Sequence, residues 1–146
     1  MSSPGLERAR KLLESFVDAR LFSIECGEFE LRLRFESGIE FVTHSPWRLI
    51  HDGSMALGSG DIGSEADAGS LRSLKGLNVL ASSIADTWDT TLHLEKNYLI
   101  EVLSNSCKYE VWEAHVAEGW VICMDGGVTI FPPASQDSGD HKLGSQ

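Results

Sequence analysis

The sequence predicts an α+β fold, in which one N-terminal helix packs on a duplicated, mainly antiparallel β-sheet that curls into a half-barrel. Apolar residues recur every three or four positions over residues 6–20, as in an amphipathic helix. From residue 21 onward, short apolar runs alternate with polar residues and are separated by glycine-containing turns, as in a strand-rich domain. An approximate internal repeat of these strands indicates the duplication.

The helix prediction rests on one stripe of apolar side chains. Leu6, Ala9, Leu13 and Phe16 share one face at helical spacing, which favours packing on a sheet. Ser3-Pro4 is a typical start, with serine as the cap and proline in the first turn. The polar face mixes acidic and basic residues, so a membrane-surface helix is the less favoured interpretation.

Eleven strands are predicted after the helix. They cover residues 21–26, 29–35, 39–43, 47–50, 54–57, 77–84, 90–94, 98–103, 109–116, 120–124 and 128–131. The clearest is the second, where Leu31, Leu33 and Phe35 alternate with Arg32 and Arg34 and give one apolar and one charged face.

The segments between and after the strands are predicted to be irregular. Residues 58–69, GSGDIGSEADAG, contain four glycines and predict an exposed, mobile loop. Residues 70–75 predict a short helical turn ended by Gly76. Residues 134–146 are polar and predict a frayed tail. A single domain is therefore expected over residues 1–133.

The repeat appears when the chain is shifted by 59 positions. The shift aligns Leu21 with Leu80, Ser23 with Ser82, Leu33 with Leu92, Glu36 with Glu95 and Ser45 with Ser104. It predicts two similar half-sheets, over about residues 21–57 and 77–131. Because any two alternating hairpins match in part, chance alignment stays open as the alternative.

The charge balance limits the classes of partner. The chain has 146 residues and a formal net charge of −10, which disfavours nucleic acid and favours a basic protein. The run of apolar residues needed for a membrane span or a signal peptide is not found. Three cysteines without a C-x-x-C pair predict neither a disulfide framework nor a zinc knuckle. We therefore expect a cytoplasmic protein without membrane contact.

Motifs for catalysis, cofactors or metals are not evident in the sequence. No carboxylate or cysteine at a metal-ligand spacing accompanies any of the five histidines. The letters GSGDIG match G-x-G-x-x-G, but they lack the strand–turn–helix context, and their acidic neighbours would repel a pyrophosphate. Glu30 and Asp89 are equivalent under the repeat, although solvated edge charges explain them better than an acid pair does. No catalytic residue, cofactor or metal is predicted.

Residues 45–61 carry the most specific local pattern, SPWRLIHDGSMALGSGD. Its W-R-L, turn and G-S-x-D sequence resembles an uncharacterised family of small bacterial strand-rich proteins for which no activity is established. The closing Tyr109-Glu110-Val111-Trp112 segment and the Gly126-Gly127 turn loosely resemble toxin-immunity proteins. These resemblances imply no catalytic residue.

The sequence favours a non-catalytic protein-binding module, such as an acidic inhibitor or immunity-type protein. Arg48, Asp61, Glu65 and Asp67 are the candidate partner-binding residues, because tryptophan-flanked arginine and mobile acidic loops suit protein contacts. Two alternatives stay open. One is a structural homodimer without a ligand, and the other is a small-molecule binder or enzyme with a cleft between the half-sheets.

Overall fold

The computed structural model describes residues 3–27, 30–61, 65–105 and 109–133, and for residues 65–68 it describes the backbone alone. The helices are α1 (Pro4–Leu13) and α2 (Glu65–Arg72). The strands are β1 (Leu21–Cys26), β2 (Leu31–Phe35), β3 (Glu40–Thr43), β4 (Trp47–His51), β5 (Ser54–Gly58), β6 (Val79–Ile84), β7 (Thr90–Leu94), β8 (Tyr98–Val102), β9 (Glu110–Val116), β10 (Gly119–Met124) and β11 (Gly127–Phe131). Position 29, where the second predicted strand begins, and the predicted tail at 134–146 lie outside the described residues.

The strands form two antiparallel sheets, and neither closes into a barrel. One sheet has the order β1-β2-β3-β9-β10-β11, and the other has the order β5-β4-β8-β7-β6. The α+β class and the eleven predicted strands are confirmed. The strands lie in two sheets instead of the expected single sheet, because the chain passes from one sheet to the other after β3 and back again after β8.

Helix α1 begins as the sequence predicts and ends earlier. The Ser3 Oγ accepts a hydrogen bond from the Leu6 N–H at 3.1 Å, and Pro4 occupies the first turn. The helix ends at Leu13 and a 3-10 turn follows, so the predicted end at residue 20 is wrong. Val17 is already extended, with a ψ of 133°, and Asp18 follows with a φ of 71°, so the right-handed path has ended before residue 20.

Helix α2 replaces the end of the predicted mobile loop, residues 65–69, and includes the start of the helical turn predicted over residues 70–75. A 3-10 turn covers Ser59–Asp61, and α2 covers Glu65–Arg72. Leu71 and, just beyond the helix, Leu74 are buried in the core, which stabilises a short helix despite Gly69 within it. Within the described residues, neither helix is long and apolar enough to cross a membrane.

The buried faces of both sheets share one hydrophobic core. Phe16, which follows α1, contacts the rings of Phe35 and Phe41 at centroid distances of 5.2 and 5.8 Å. Trp112 of the six-stranded sheet packs on Phe41 and donates its Nε1–H to the Thr90 Oγ1 of the other sheet at 2.9 Å. The aromatic contacts lie on the six-stranded sheet, and the Trp112–Thr90 hydrogen bond connects that sheet to the five-stranded one.

The strand registers show how the two halves correspond. Leu21 pairs with Phe35 and Val79 pairs with Leu94, and each pair is followed by an irregularity around Phe22 or Leu80. Phe35 and Leu94 are 59 residues apart, whereas Leu21 and Val79 are 58 apart. The predicted alignment of Leu21 with Leu80 is therefore wrong by one residue, since Leu21 is buried and Leu80 is exposed.

A shift of 58 also relates the segments before β1 and β6, which pair with each other. Arg20 and Asn78 form a β-bridge, and these two residues are themselves 58 apart. The flanking hydrogen bonds come in matched pairs: Leu21 N to Leu77 O with Val79 N to Ala19 O, and Asp18 N to Val79 O with Gly76 N to Leu21 O. Even the positive φ recurs, at Asp18 and Gly76. The two halves are thus arranged about an approximate two-fold axis at this bridge.

Each sheet combines strands from both halves. The meander β1–β3 is continued by β9, which belongs to the second half, and the meander β6–β8 is continued by β4 of the first half. The helices also pack across the halves. Helix α1, which precedes the first half, packs on β6 of the second half, and α2, which precedes the second half, packs on β1 of the first half. Each sheet is therefore assembled from strands of both halves, and the halves are interlocked.

Candidate functional site

The structure places two of the four sequence-predicted contact residues, Arg48 and Asp61, in intramolecular contacts. Arg48 lies on the outer face of the five-stranded sheet and bonds through Nε to Glu101, which is directly opposite on β8. The Asp61 carboxylate accepts a hydrogen bond from the Gly58 N–H at 3.0 Å. Glu65 and Asp67 belong to α2, where the structure describes their backbone but not their side chains. Arg48 and Asp61 therefore stabilise local structure.

Trp120 differs from the other three tryptophans in its exposure to solvent. Trp47, Trp88 and Trp112 are buried, as core filling predicts, whereas Trp120 keeps 38 % of its surface exposed. On β10 it points away from the core, because Val121 and Cys123 occupy the inward positions. An ordered exposed indole is a common anchor in protein interfaces.

Trp120 lies at the centre of three rings that we call the aromatic patch: His115, Trp120 and Phe131. Both neighbours lie directly opposite Trp120, on β9 and β11. The rings of His115 and Trp120 are nearly parallel with centroids 6.1 Å apart, and those of Trp120 and Phe131 are 5.1 Å apart. Phe131 is 46 % exposed. Cross-strand aromatic contacts of this kind order the rings before any partner arrives.

Gly119 makes this arrangement possible. Its φ is +130°, and a Cβ there would collide with the carbonyl oxygen of Phe131. A glycine therefore lets β11 approach the start of β10 and brings Phe131 beside Trp120.

The three strands that carry the aromatic patch are acidic in sequence. Residues 109–133 contain Glu110, Glu113, Glu118 and Asp125 and neither lysine nor arginine. The Glu113 carboxylate accepts a hydrogen bond from Trp120 Nε1 at 3.1 Å, so one acid is fixed directly against the patch. This half of the outer face presents negative charge beside exposed aromatic surface.

The other half of the same outer face holds paired charges. Arg32 bonds to Glu30 at 2.9 Å and lies 3.0 Å from Glu40, while Arg34 bonds to Glu40 and Glu25. The hydrogen bond that Arg32 donates to Glu30 lowers the pKa of Glu30, and the hydrogen bonds that Arg32 donates to Glu30 and Glu40 raise the pKa of Arg32. These charges compensate each other across β1–β3.

A cluster of possible metal ligands lies between the two halves of this face. His44, Glu110 and Glu113 each offer a ligand atom, and these atoms lie within 4.8 Å of one another. The sequence predicted no metal-ligating residue, and strand pairing brings this group together. The residues are about 70 positions apart in the chain, so their sequence spacing gave no signal.

A β-bulge in β9 brings the two glutamates together. Cys123 pairs with Trp112 and Met124 pairs with Glu110, so Val111 is the extra residue on β9. Without it, Glu110 and Glu113, three apart, would point to opposite faces. The Thr43 Oγ1 donates to the Val111 carbonyl at 2.7 Å and anchors the bulge to the segment that carries His44.

The same segment borders a depression of about 190 Å³. Glu30, His44, Trp47 and Ser59 are among its lining residues. This volume is below the roughly 300–1,000 Å³ of drug-sized ligand sites.

Comparisons with known proteins assign no role to these residues. No family model, no curated protein and no solved structure matches the chain. The resemblance of the W-R-L and G-S-x-D segments to a bacterial family therefore adds no functional residue.

Proposed function

We propose that this protein is a non-catalytic, cytoplasmic protein-binding module of the acidic inhibitor or immunity type, and that it binds a basic protein. The observation that carries the proposal is the aromatic patch: pre-ordered, exposed rings next to acidic residues, in a stretch without lysine or arginine. Exposed tryptophan supplies binding energy, and the surrounding acids select a partner of opposite charge.

The proposed interface lies at other residues than the partner-binding residues that the sequence predicted. Arg48 is engaged by Glu101, and Asp61 is engaged by the Gly58 N–H. We infer that Trp120 and Phe131 form the centre of the interface and that Glu113 and Glu118 form its rim. A rim charge contributes mainly to the rate of association.

The arrangement of the interior disfavours the small-molecule alternative. Apolar side chains of both sheets fill the space between the sheets, where a cleft would have to lie. A homodimer through the same patch would place the acidic residues of two chains of charge −10 near each other, which opposes association. We also infer that the paired backbone bonds around Arg20 and Asn78 reflect a duplicated ancestral unit.

The experiment is a capture from extract of the native host, followed by binding measurements on the purified partner. We expect the partner to be a basic protein, with an affinity that falls as salt is raised. Trp120→Ala and Phe131→Ala should each weaken binding about 10-fold or more, as truncated interface anchors do. Met55→Ala is the matched control, since Met55 is an exposed apolar residue on the other sheet.

Three outcomes would contradict the proposal. Unchanged affinity in both patch variants would remove the patch from the interface. An equal loss of affinity in the Met55→Ala control would show a general effect of truncating exposed apolar side chains. A concentration-dependent dimer in sedimentation that Trp120→Ala abolishes would assign the patch to self-association.

A further inference from the structure

The ligand set of His44, Glu110 and Glu113 matches that of a three-residue metal site. It offers one imidazole nitrogen and two carboxylates on one face of a sheet, with ligand atoms within 4.8 Å of one another. Ligand atoms on one tetrahedral zinc ion lie about 3.4 Å apart, because each bond is about 2.1 Å. Small side-chain rotations therefore suffice to close the set around an ion.

The surrounding contacts orient the histidine as metal-binding histidines are oriented. The His44 Nε2 lies 3.2 Å from the Glu30 Oε1, and Arg32 holds that carboxylate from its other oxygen. A metal-bound imidazole commonly donates its second ring nitrogen to a carboxylate, which fixes the ring. Glu30 can perform this role and leave Nδ1 for the ion.

The two glutamates lack a cationic partner in the described part of the chain. Arg32 and Arg34 are engaged by Glu25, Glu30 and Glu40, and no ion pair joins Glu110 or Glu113 to a described lysine or arginine. Glu113 has one neutral donor, the Trp120 indole. A divalent cation would offset the repulsion between these carboxylates.

We propose that His44, Glu110 and Glu113 bind one Zn²⁺ ion on the outer face of the six-stranded sheet. The mixed nitrogen and oxygen set suits zinc better than calcium, which takes six to eight oxygens. Three protein ligands leave a coordination position open to water or to a side chain of another molecule. This inference stands independently of the proposed function.

The test is calorimetric titration of the full chain with zinc chloride. We expect one saturable site, weakened about 10-fold or more by His44→Gln and by Glu113→Gln. Calcium chloride should bind at least about 100-fold more weakly, because imidazole is a poor calcium ligand. His51→Gln is the matched control, since His51 also lies beside a carboxylate, that of Asp52, on the other sheet.

Fluorescence gives a second readout, because Trp120 is hydrogen-bonded to Glu113 and is the exposed tryptophan. Zinc should change its emission, and Trp120→Phe should remove that change while the calorimetric binding persists. Far-UV circular dichroism shows whether each variant folds. Three results would overturn the site: no saturable binding up to about 0.1 mM zinc, equal binding by the His44 variant, or equal affinity for calcium. The last would indicate general attraction of cations to an acidic chain.

Discussion

The buried bond between Trp112 and Thr90 links the two sheets through a single pair of side chains. The Thr90 Oγ1 accepts from the indole Nε1 and donates to the Trp88 carbonyl at 3.1 Å. We expect Thr90→Val to destabilise the fold by about 1–3 kcal/mol, because it leaves a buried indole N–H without an acceptor. Urea unfolding measures this change.

A double-mutant cycle separates this effect from packing. Adding Trp112→Phe to Thr90→Val removes the stranded donor, so the two changes together should cost less than the sum of the single changes. Strict additivity would show that the bond contributes nothing beyond side-chain volume.

A single extra residue, Val111 in β9, limited what the sequence could predict about the positions of the site residues. The alternation of Leu31, Leu33 and Phe35 correctly assigned faces along β2. That rule fails at Val111, where a bulge turns Glu110 to the face of Glu113. Because this bulge is defined by the register between β9 and β10, the alternation within β9 alone does not predict it.

Among the secondary-structure elements, α2 differs most from the sequence prediction. Its Leu71 is buried, so Leu71→Ala should destabilise the protein by about 2–5 kcal/mol. Lys75→Ala, at an exposed position just after the helix, is the control and should change stability by less than about 0.5 kcal/mol. Urea unfolding of both variants gives the comparison, and a small effect of Leu71→Ala would return residues 58–69 to the mobile loop that the sequence predicted.

The underpredicted start of this helix has a physical explanation. Gly69 lowers helix propensity, and the buried leucines among the described side chains, Leu71 and Leu74, both lie at or beyond the end of the helix. Helix α1, by contrast, displays Leu6, Ala9 and Leu13 in a full stripe, and its cap is local to the sequence. Tertiary packing, which the local sequence does not report, decides in favour of α2.

For the whole molecule, the interlocked halves predict a single cooperative unfolding transition. Leu33 on β2 and Leu92 on β7 occupy equivalent buried positions in different sheets. Leu33→Ala and Leu92→Ala should each lower the free energy of unfolding by about 2–5 kcal/mol, and each variant should still unfold in a single transition. Tryptophan fluorescence and far-UV circular dichroism should report coincident curves for both variants. Two separate transitions would contradict the interlocking.

The mixed composition of the sheets also determines the order in which the chain can fold during synthesis. Strand β3 has no partner on its second side until β9, some 70 residues later, has emerged, and β4 waits for β8. The nascent chain therefore carries open strand edges through most of its translation, when edge-to-edge aggregation is a hazard. Pairings this distant in sequence are slow to form, so the ribosome-bound intermediate is the stage at which this protein most depends on protection from other chains.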